Sequence, residues 1–355
     1  MIPLLAVVAF APSTVETVHR FGGPMPTGIA VSQKGRIFVT YPRWGDPVKA
    51  TVVEIRNGQE IPYPNVILNR LSKAEGDQRF VSVQSLVVDA RDRLWAVDTG
   101  SVNLGLTRPK GPKLWCFNLA TNRVDRVYAF PETVALPTTY LNDARFDLTR
   151  GKAGYAFLTD SSDKGPNGLI VLDLASGKSW RRLNDHPSTK AEPKTMSTAE
   201  GYGLLMRMKD GTDQRVKIGS DGIAIFPRRD ELVYCPLVSN TLYSVRISDL
   251  IDDAVSDDEL GGKVVTKAKK PGSDGLLEGP NGELWILDYE NARIQKWNGT
   301  DWTTSASLPK YEWPDTLALH QGWVYTIANQ LQRQPQYHRG HDLRKKPYRL
   351  VRFRG

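Results

Sequence analysis

Residues 273–297 read SDGLLEGPNGELWILDYENARIQKW. A carboxylate, Asp274, stands before a glycine, the chain turns on Pro280-Asn281-Gly282, and Trp285 and Ile286 sit in a short apolar run that stops at a second carboxylate, Asp288. Short alternating apolar runs on either side of a glycine-containing turn predict a β-hairpin. The same design recurs in TGIAVSQKGRIFVTYPRW from Thr27, QSLVVDARDRLWAVDTGS from Gln84 and DARFDLTRGKAGYAFLTDSS from Asp143. It returns in DGIAIFPRRDELVYCPLVSNTLYSV from Asp221, DGLLEGPNGELWILDYENARIQKW from Asp274 and DTLALHQGWVYTIANQ from Asp315.

Most of these units carry a third apolar strand, such as PKLWCFNL, GLIVLDL or TLYSVRI, and helical periodicity is scarce. SDLIDDAVSDDEL is the exception, read either as a short amphipathic helix or as a solvated acidic loop. Units of roughly 40 to 60 residues, each of three or four antiparallel strands, are the signature of a β-propeller, whose blades bury faces that none can bury alone. The predicted fold is therefore all-β: one six-bladed propeller over residues 1–355, closed by N- and C-terminal strands. Its blades fall roughly at 27–80, 84–135, 141–190, 219–255, 272–308 and 313–354. KKPYRLVRF and a strand over 3–10, within LLAVVAF, are the expected closing pieces, since closure removes exposed sheet edges. The apolar start has a competing reading as the remnant of a secretion signal. The longest insertion, 184–218, is expected to form loops over one end of the axis.

In a propeller the innermost strand of each blade lines the axis, so its first residue recurs around one rim. That ring reads Thr27, Gln84, Asp143, Asp221, Asp274 and Asp315. Carboxylates crowded together raise one another's pKa, bind a cation, or are neutralised by hydrogen bonds. The alternative is that Asp before Gly is only a turn residue repeated with the blade. Asp98, Asp160 and Asp288, one strand farther out, read as turn anchors. His186, in the long insertion, is the histidine best placed to lean over the channel.

Lys and Arg number 47 against 39 Asp and Glu, giving +8, but no long basic run occurs, so a solvated face is favoured over nucleic-acid binding. Cys116 and Cys235 lie far apart with no metal-ligand spacing, which argues against a zinc site and against a disulfide scaffold; whether they pair is left open. No GxSxG elbow, HExxH, P-loop or GxGxxG occurs where its chemistry would need it.

Taken together, RFVSVQSLVVDARDRLWAVDTG, YLNDARFDLTRGKAGYAFLTDSS, GLIVLDLASGKSWRRLNDHPS, GSDGIAIFPRRDELVYCPL and WPDTLALHQGWVYTIANQLQR resemble the major royal jelly protein and yellow protein family, in a compact form like its bacterial members. The resemblance spans nearly the whole chain and implies a six-bladed propeller that is secreted or periplasmic; because the apolar start lacks a basic n-region, a signal peptide is not expected in this chain. Within that family some members are linked to dopachrome conversion, some bind biogenic amines in the channel and some are nutritive. An amine-facing Asn of the binding members matches Asn329, with Thr316 and Tyr325 beside it and Leu331 in place of the usual aromatic. A more distant resemblance, to the senescence marker protein and gluconolactonase group, implies an axial divalent metal such as calcium. Its Glu, Asn and Asp ligands correspond to Thr27, Asp221 and Asp274, leaving Asp221 and Asp274 as the metal candidates here, and Asn142-Asp143 resembles its substrate-site pair.

The expected function is action on, or binding of, a small aromatic or cyclic molecule at the channel mouth. Dopachrome-type isomerisation is the first reading; metal-dependent lactone hydrolysis and non-catalytic amine binding are the alternatives. Asp143, Asp221 and Asp274 are the expected catalytic carboxyls, since a buried carboxyl among like charges suits proton transfer at carbon. Asn142, Asn329, Thr27, His186 and Asp315 would contact the ligand, and Tyr41, Trp44 and Tyr289 would stack on its ring. A small molecule is the expected partner of a monomer, without nucleic acid or membrane insertion.

Overall fold

The second strand of each repeat is apolar at nearly every position, and radial packing is the reason. In Arg93–Asp98, Leu94 and Ala96 pack with Phe38 and Val52 on one side, while Trp95 and Val97 pack with Leu141 and Ala156 on the other. Successive side chains of a strand point to opposite faces, so a sheet covered on both faces needs apolar residues in both registers. Phe157 and Leu158, Cys235 and Tyr234, and Leu287 and Ile286 divide in the same way between the clusters on either side of their sheets. Each such Leu, Ile or Phe contributes about 1.5–3 kcal/mol relative to exposure.

The computed structural model describes residues 12–72, 74 and 78–355. They form six four-stranded antiparallel sheets and two small two-stranded ones. The inner strands are Ile29–Val31, Val83–Val88, Leu141–Asp147, Ser220–Phe226, Ser273–Glu278 and Trp313–His320. Each touches the next, and the last touches the first, so the strands close a cycle around an axis. This is a six-bladed β-propeller.

The last sheet shows how the ring is closed. From the axis outward it runs Trp313–His320, Trp323–Asn329, Tyr348–Arg354 and then Glu16–Phe21, so the N-terminal strand forms its outer edge. Phe21 pairs with Tyr348 and is fully buried. The strand expected over 3–10 lies outside the described residues; Glu16–Phe21 does that work.

The acidic segment after Arg246 folds as two short helices, Ile247–Ile251 and Asp257–Gly262. Ser256 caps the second by accepting from the Glu259 amide, and Asp257, Asp258 and Glu259 complement its positive end. The long insertion folds as two hairpins, Thr198–Ala199 with Tyr202–Gly203 and Leu205–Arg207 with Asp213–Arg215. Cys116 and Cys235 are free and buried in different inter-sheet clusters. No helix among the described residues is long and apolar enough to cross a membrane.

Candidate functional site

The rim residues owe their direction to a repeated backbone irregularity. The inner strands of the second to sixth sheets slip register against their neighbours between Val83 and Ser85, Leu141 and Ala144, Ser220 and Gly222, Ser273 and Leu276, and Pro314 and Leu317. A bulge leaves the extra residue out of the ladder and re-aims its side chain. The skipped residues are Gln84, Asn142 with Asp143, Asp221, Asp274 with Gly275, and Asp315 with Thr316. Thus the repeated Asp-Gly is a strand bulge and not a hairpin turn. Its glycine has a separate cause: a Cβ on Gly222 would stand 2.4 Å from the Asp274 carbonyl oxygen, and one on Gly275 would stand 2.8 Å from that of Asp315. Inner strands approach too closely there for a side chain.

A belt of side-chain bonds ties neighbouring blades at this level. Thr27 and Thr40 both donate to the Gln84 carbonyl at 2.8 Å, Ser85 to that of Asn142 at 2.5 Å and Thr159 to that of Asp221 at 2.9 Å. The outer series anchors turns. Asp98 accepts from the amides of Val81, Ser82 and Gly100, Asp160 from the Tyr140 and Ser162 amides, and Asp288 from that of Asn291.

Four acids converge on the axis. Asp143 is paired with Arg145 at 2.9 Å, and the Arg145 guanidinium also reaches across to the Leu276 carbonyl, from the third sheet to the fifth. Asp221 accepts from Asn142 Nδ2 at 2.6 Å, and Asp274 accepts from Trp313 Nε1 at 2.7 Å. Asp221 and Asp274 also hydrogen-bond to each other. Asp315 accepts from Asn329 Nδ2 at 2.7 Å and from Thr316 Oγ1 at 3.1 Å. Burial, and then the charge of neighbouring carboxylates, holds Asp221, Asp274 and Asp315 well above the ordinary carboxyl value of 3.8.

Above these carboxyls opens a cavity of about 430 Å³. Asp221, Asp274, Asp315, Asn142 and Gln84 line it beside Trp44, Tyr140, Leu237, Leu331 and Tyr337, with Met206, Met208, Arg215 and Lys217 contributed by the insertion. Tyr140 donates to Gln84 Oε1 at 2.9 Å and accepts from Trp44 Nε1 at 2.7 Å, which fixes the indole against the wall. Two wider hollows of about 650 and 810 Å³ lie alongside the insertion hairpin, but none of the axial acids lines them.

The structure therefore brings Asn142, Asp221, Asp274, Asp315 and Trp44 to one cavity. Asp143, held by Arg145, is buried at the axis but is not among the lining residues. Thr27 and Asn329 are fully buried ties: Asn329 also donates to the Pro26 carbonyl and orients Asp315 from behind. Tyr41 and Tyr289 are not stacking surfaces for a ligand. The Tyr41 hydroxyl bonds Glu60 at 2.6 Å, and Tyr289 stacks on Trp313 at 4.0 Å with its hydroxyl on Ser197 and the Leu237 carbonyl. His186 sits away from the channel, bonded through Nδ1 to Ser188 and packed against Gly261, because the Asp257–Gly262 helix holds that end of the insertion on the outer face. Tyr140, Tyr337 and Met206 were not singled out by the sequence. Tyr140 did carry a signal, since both it and Trp313 are aromatics placed shortly before a rim acid.

These residues do not fit a resident divalent cation. Among the described residues no group of three or more His, Cys, Asp or Glu side chains is arranged to hold a metal. Asp221 and Asp274, the expected ligands, are bonded to each other and to N–H donors, and a hard cation takes six or more oxygens.

Fold and site together define a closed six-bladed β-propeller with an acid-floored axial cavity. Within that class the chain belongs to the major royal jelly protein family, whose family model matches residues 81–350. It is 27% identical over 280 residues to protein yellow of Drosophila pseudoobscura pseudoobscura, covering 72% of this chain and 46% of that protein. Protein yellow of Drosophila melanogaster is 26% identical over 280 residues, with 72% and 48% covered. The chain thus spans about half the length of these relatives. Among solved structures, a gluconolactonase from Xanthomonas campestris superposes with a TM-score of 0.56 at 11% identity, covering 98% of this chain and 91% of that one. A regucalcin from Agrobacterium tumefaciens, described as calcium-binding, gives 0.56 at 12%, covering 96% and 95%. A virginiamycin B lyase from Staphylococcus aureus gives 0.51 at 13%, covering 96% and 99%. At such identities the likeness is one of fold.

Proposed function

We propose that this chain is a secreted or periplasmic yellow-like propeller that takes a small aromatic or cyclic molecule into the axial cavity and isomerises it by dopachrome-type proton transfer. The observation that carries this reading is the hydrogen-bonded Asp221–Asp274 pair at the base of an aromatic-walled cavity. Two desolvated carboxyls in contact keep a proton that separate ones would lose, so one site offers both a base and an acid near neutral pH. The ionised carboxyl of the pair removes a proton from a ring carbon, and the freed electron pair moves through the conjugated system. The protonated carboxyl delivers its proton at the far end of that system. No electrons leave the molecule, and one proton crossing the Asp221–Asp274 hydrogen bond restores the starting state. Asn142 and Gln84 orient polar substituents, and Trp44 and Tyr140 flank the ring.

Binding of cationic aromatic amines without turnover is the second reading, favoured by the acids of the cavity floor. Solvent deuterium exchange into a bound conjugated cyclic ketone, followed by NMR, separates the two. Wild-type protein should exchange and isomerise the probe. Asp221→Asn and Asp274→Asn should each slow both by about 10²–10⁴-fold with little change in affinity, the usual worth of a positioned acid or base. Binding without exchange in the wild type would reject the isomerase reading and leave the amine-binding one.

A further inference from the structure

Asp274 is joined to the long insertion through two stacked rings. Trp313, in the sixth sheet, gives its indole N–H to Asp274 Oδ2 at 2.7 Å. An indole nitrogen can only donate, so the oxygen it holds must present a lone pair. Trp313 is fully buried, and its ring lies 4.0 Å from that of Tyr289 and 6° from parallel. In such a stack neither ring tilts without the other. Tyr289 is itself pinned, since its hydroxyl bonds Ser197 Oγ of the insertion at 2.7 Å and the Leu237 carbonyl at 2.9 Å. The next residue repeats the link: Glu290 accepts from the Thr198 amide of the insertion at 2.9 Å and from the Gly272 amide, two residues before Asp274, at 2.8 Å.

We infer that Trp313 is the positioning residue of the acid pair: its N–H fixes the rotation of the Asp274 carboxyl, and Tyr289, clamped by Ser197, fixes the indole. This rests on the Asp221–Asp274 pair being the reacting group, yet it governs the pair even with no ligand bound. Among the described residues no other N–H reaches the Asp274 carboxyl. A donor bonded to a carboxylate favours its ionised form, so without the indole the pair holds its proton to higher pH. The other groups that feel the Asp274 charge are Asp221, Asp143 with its partner Arg145, Asp315, and the hydroxyls of Tyr289 and Tyr337. All of them remain when residue 313 alone is changed to phenylalanine, which keeps a ring on Tyr289 and removes the donor.

Carboxyl carbon-13 NMR of the ligand-free full chain, labelled at aspartate and assigned through Asp274→Asn, reads the titration of the pair directly. Trp313→Phe should raise its midpoint by about one to two pH units, the size expected on losing a hydrogen bond to a charged group. The acid limb of the pH profile for deuterium exchange into cyclohex-2-enone should move up with it. Tyr289→Phe, which keeps the stack and the indole N–H but frees both rings from Ser197, should move the midpoint the same way by less, and it decides the matter should Trp313→Phe not fold. A midpoint unmoved in either variant, once folded, overturns this inference. A midpoint that moves as expected, in a protein that exchanges no deuterium into the probe, upholds the positioning role and rejects the isomerase reading.

Discussion

At the scale of single residues, the axial acids carry a stability signature. Asp315 is the cleanest case, because Asn329 and Thr316 hold it and it stands outside the Asp221–Asp274 pair. Its carboxyl lies well above 3.8 in the fold, raised first by burial and then by Asp274. The folded state therefore retains a proton that the unfolded chain releases. The stability this confers is complete below the ordinary carboxyl value and is lost as pH climbs through the raised one. Asp315→Asn, which keeps an acceptor for Asn329, should flatten the decline of Tm with pH above 3.8 and stabilise the protein by about 1–2 kcal/mol at neutral pH. A decline as steep as in the wild type would show that the carboxyl ionises freely. The sequence marked Asp315 and its companions through repetition, since a rim residue recurs with the blade. It could not assign their partners. Trp313 reaches Asp274 from another blade, and Tyr41 and Tyr289 turn into packed layers for reasons set by Glu60, Ser197 and Trp313, all distant in sequence or reached only through folding.

At the scale of the element, the bulged inner strand decides which residues face the axis. A regular ladder would alternate side chains evenly between the two neighbouring blades, whereas a skipped residue leaves that alternation and turns toward the axis. The glycine after it permits the strands to close up. Gly222→Ala would place its new carbon 2.4 Å from the Asp274 carbonyl oxygen, a backbone atom with little freedom to yield. We expect a loss of about 1–3 kcal/mol in denaturant unfolding. The isomerisation proposed above should fall more than stability implies, because the displaced backbone is that of Asp274 itself. Unchanged unfolding would mean that the inner strands tolerate separation. Alternation and turns were legible enough to count the hairpins, but a bulge leaves no composition of its own. Asp-Gly reads equally well as a tight turn until the register is seen.

At the scale of the whole molecule, the ring depends on joining the two ends of the chain. Tyr348–Arg354 pairs on one side with Trp323–Asn329 and on the other with Glu16–Phe21. Removing residues 1–21 would strip that outer strand, leave the edge of Tyr348–Arg354 open and uncover the pocket that Phe21 fills. Such a truncation should lower Tm by several degrees and promote association in size-exclusion chromatography, as unprotected edges do. A monomer with wild-type Tm would show that the ring holds without its clasp. Blade number and closure could be read from the sequence because every blade must bury two faces. Which N-terminal segment closes the ring could not, since VETVHRF is less apolar than LLAVVAF and only one of its residues, Phe21, is fully covered. Arg145, joining Asp143 of the third sheet to the Leu276 carbonyl of the fifth, staples two blades that are not neighbours. Arg145→Met should therefore loosen the axis as a whole, seen as faster hydrogen exchange in both inner strands at once.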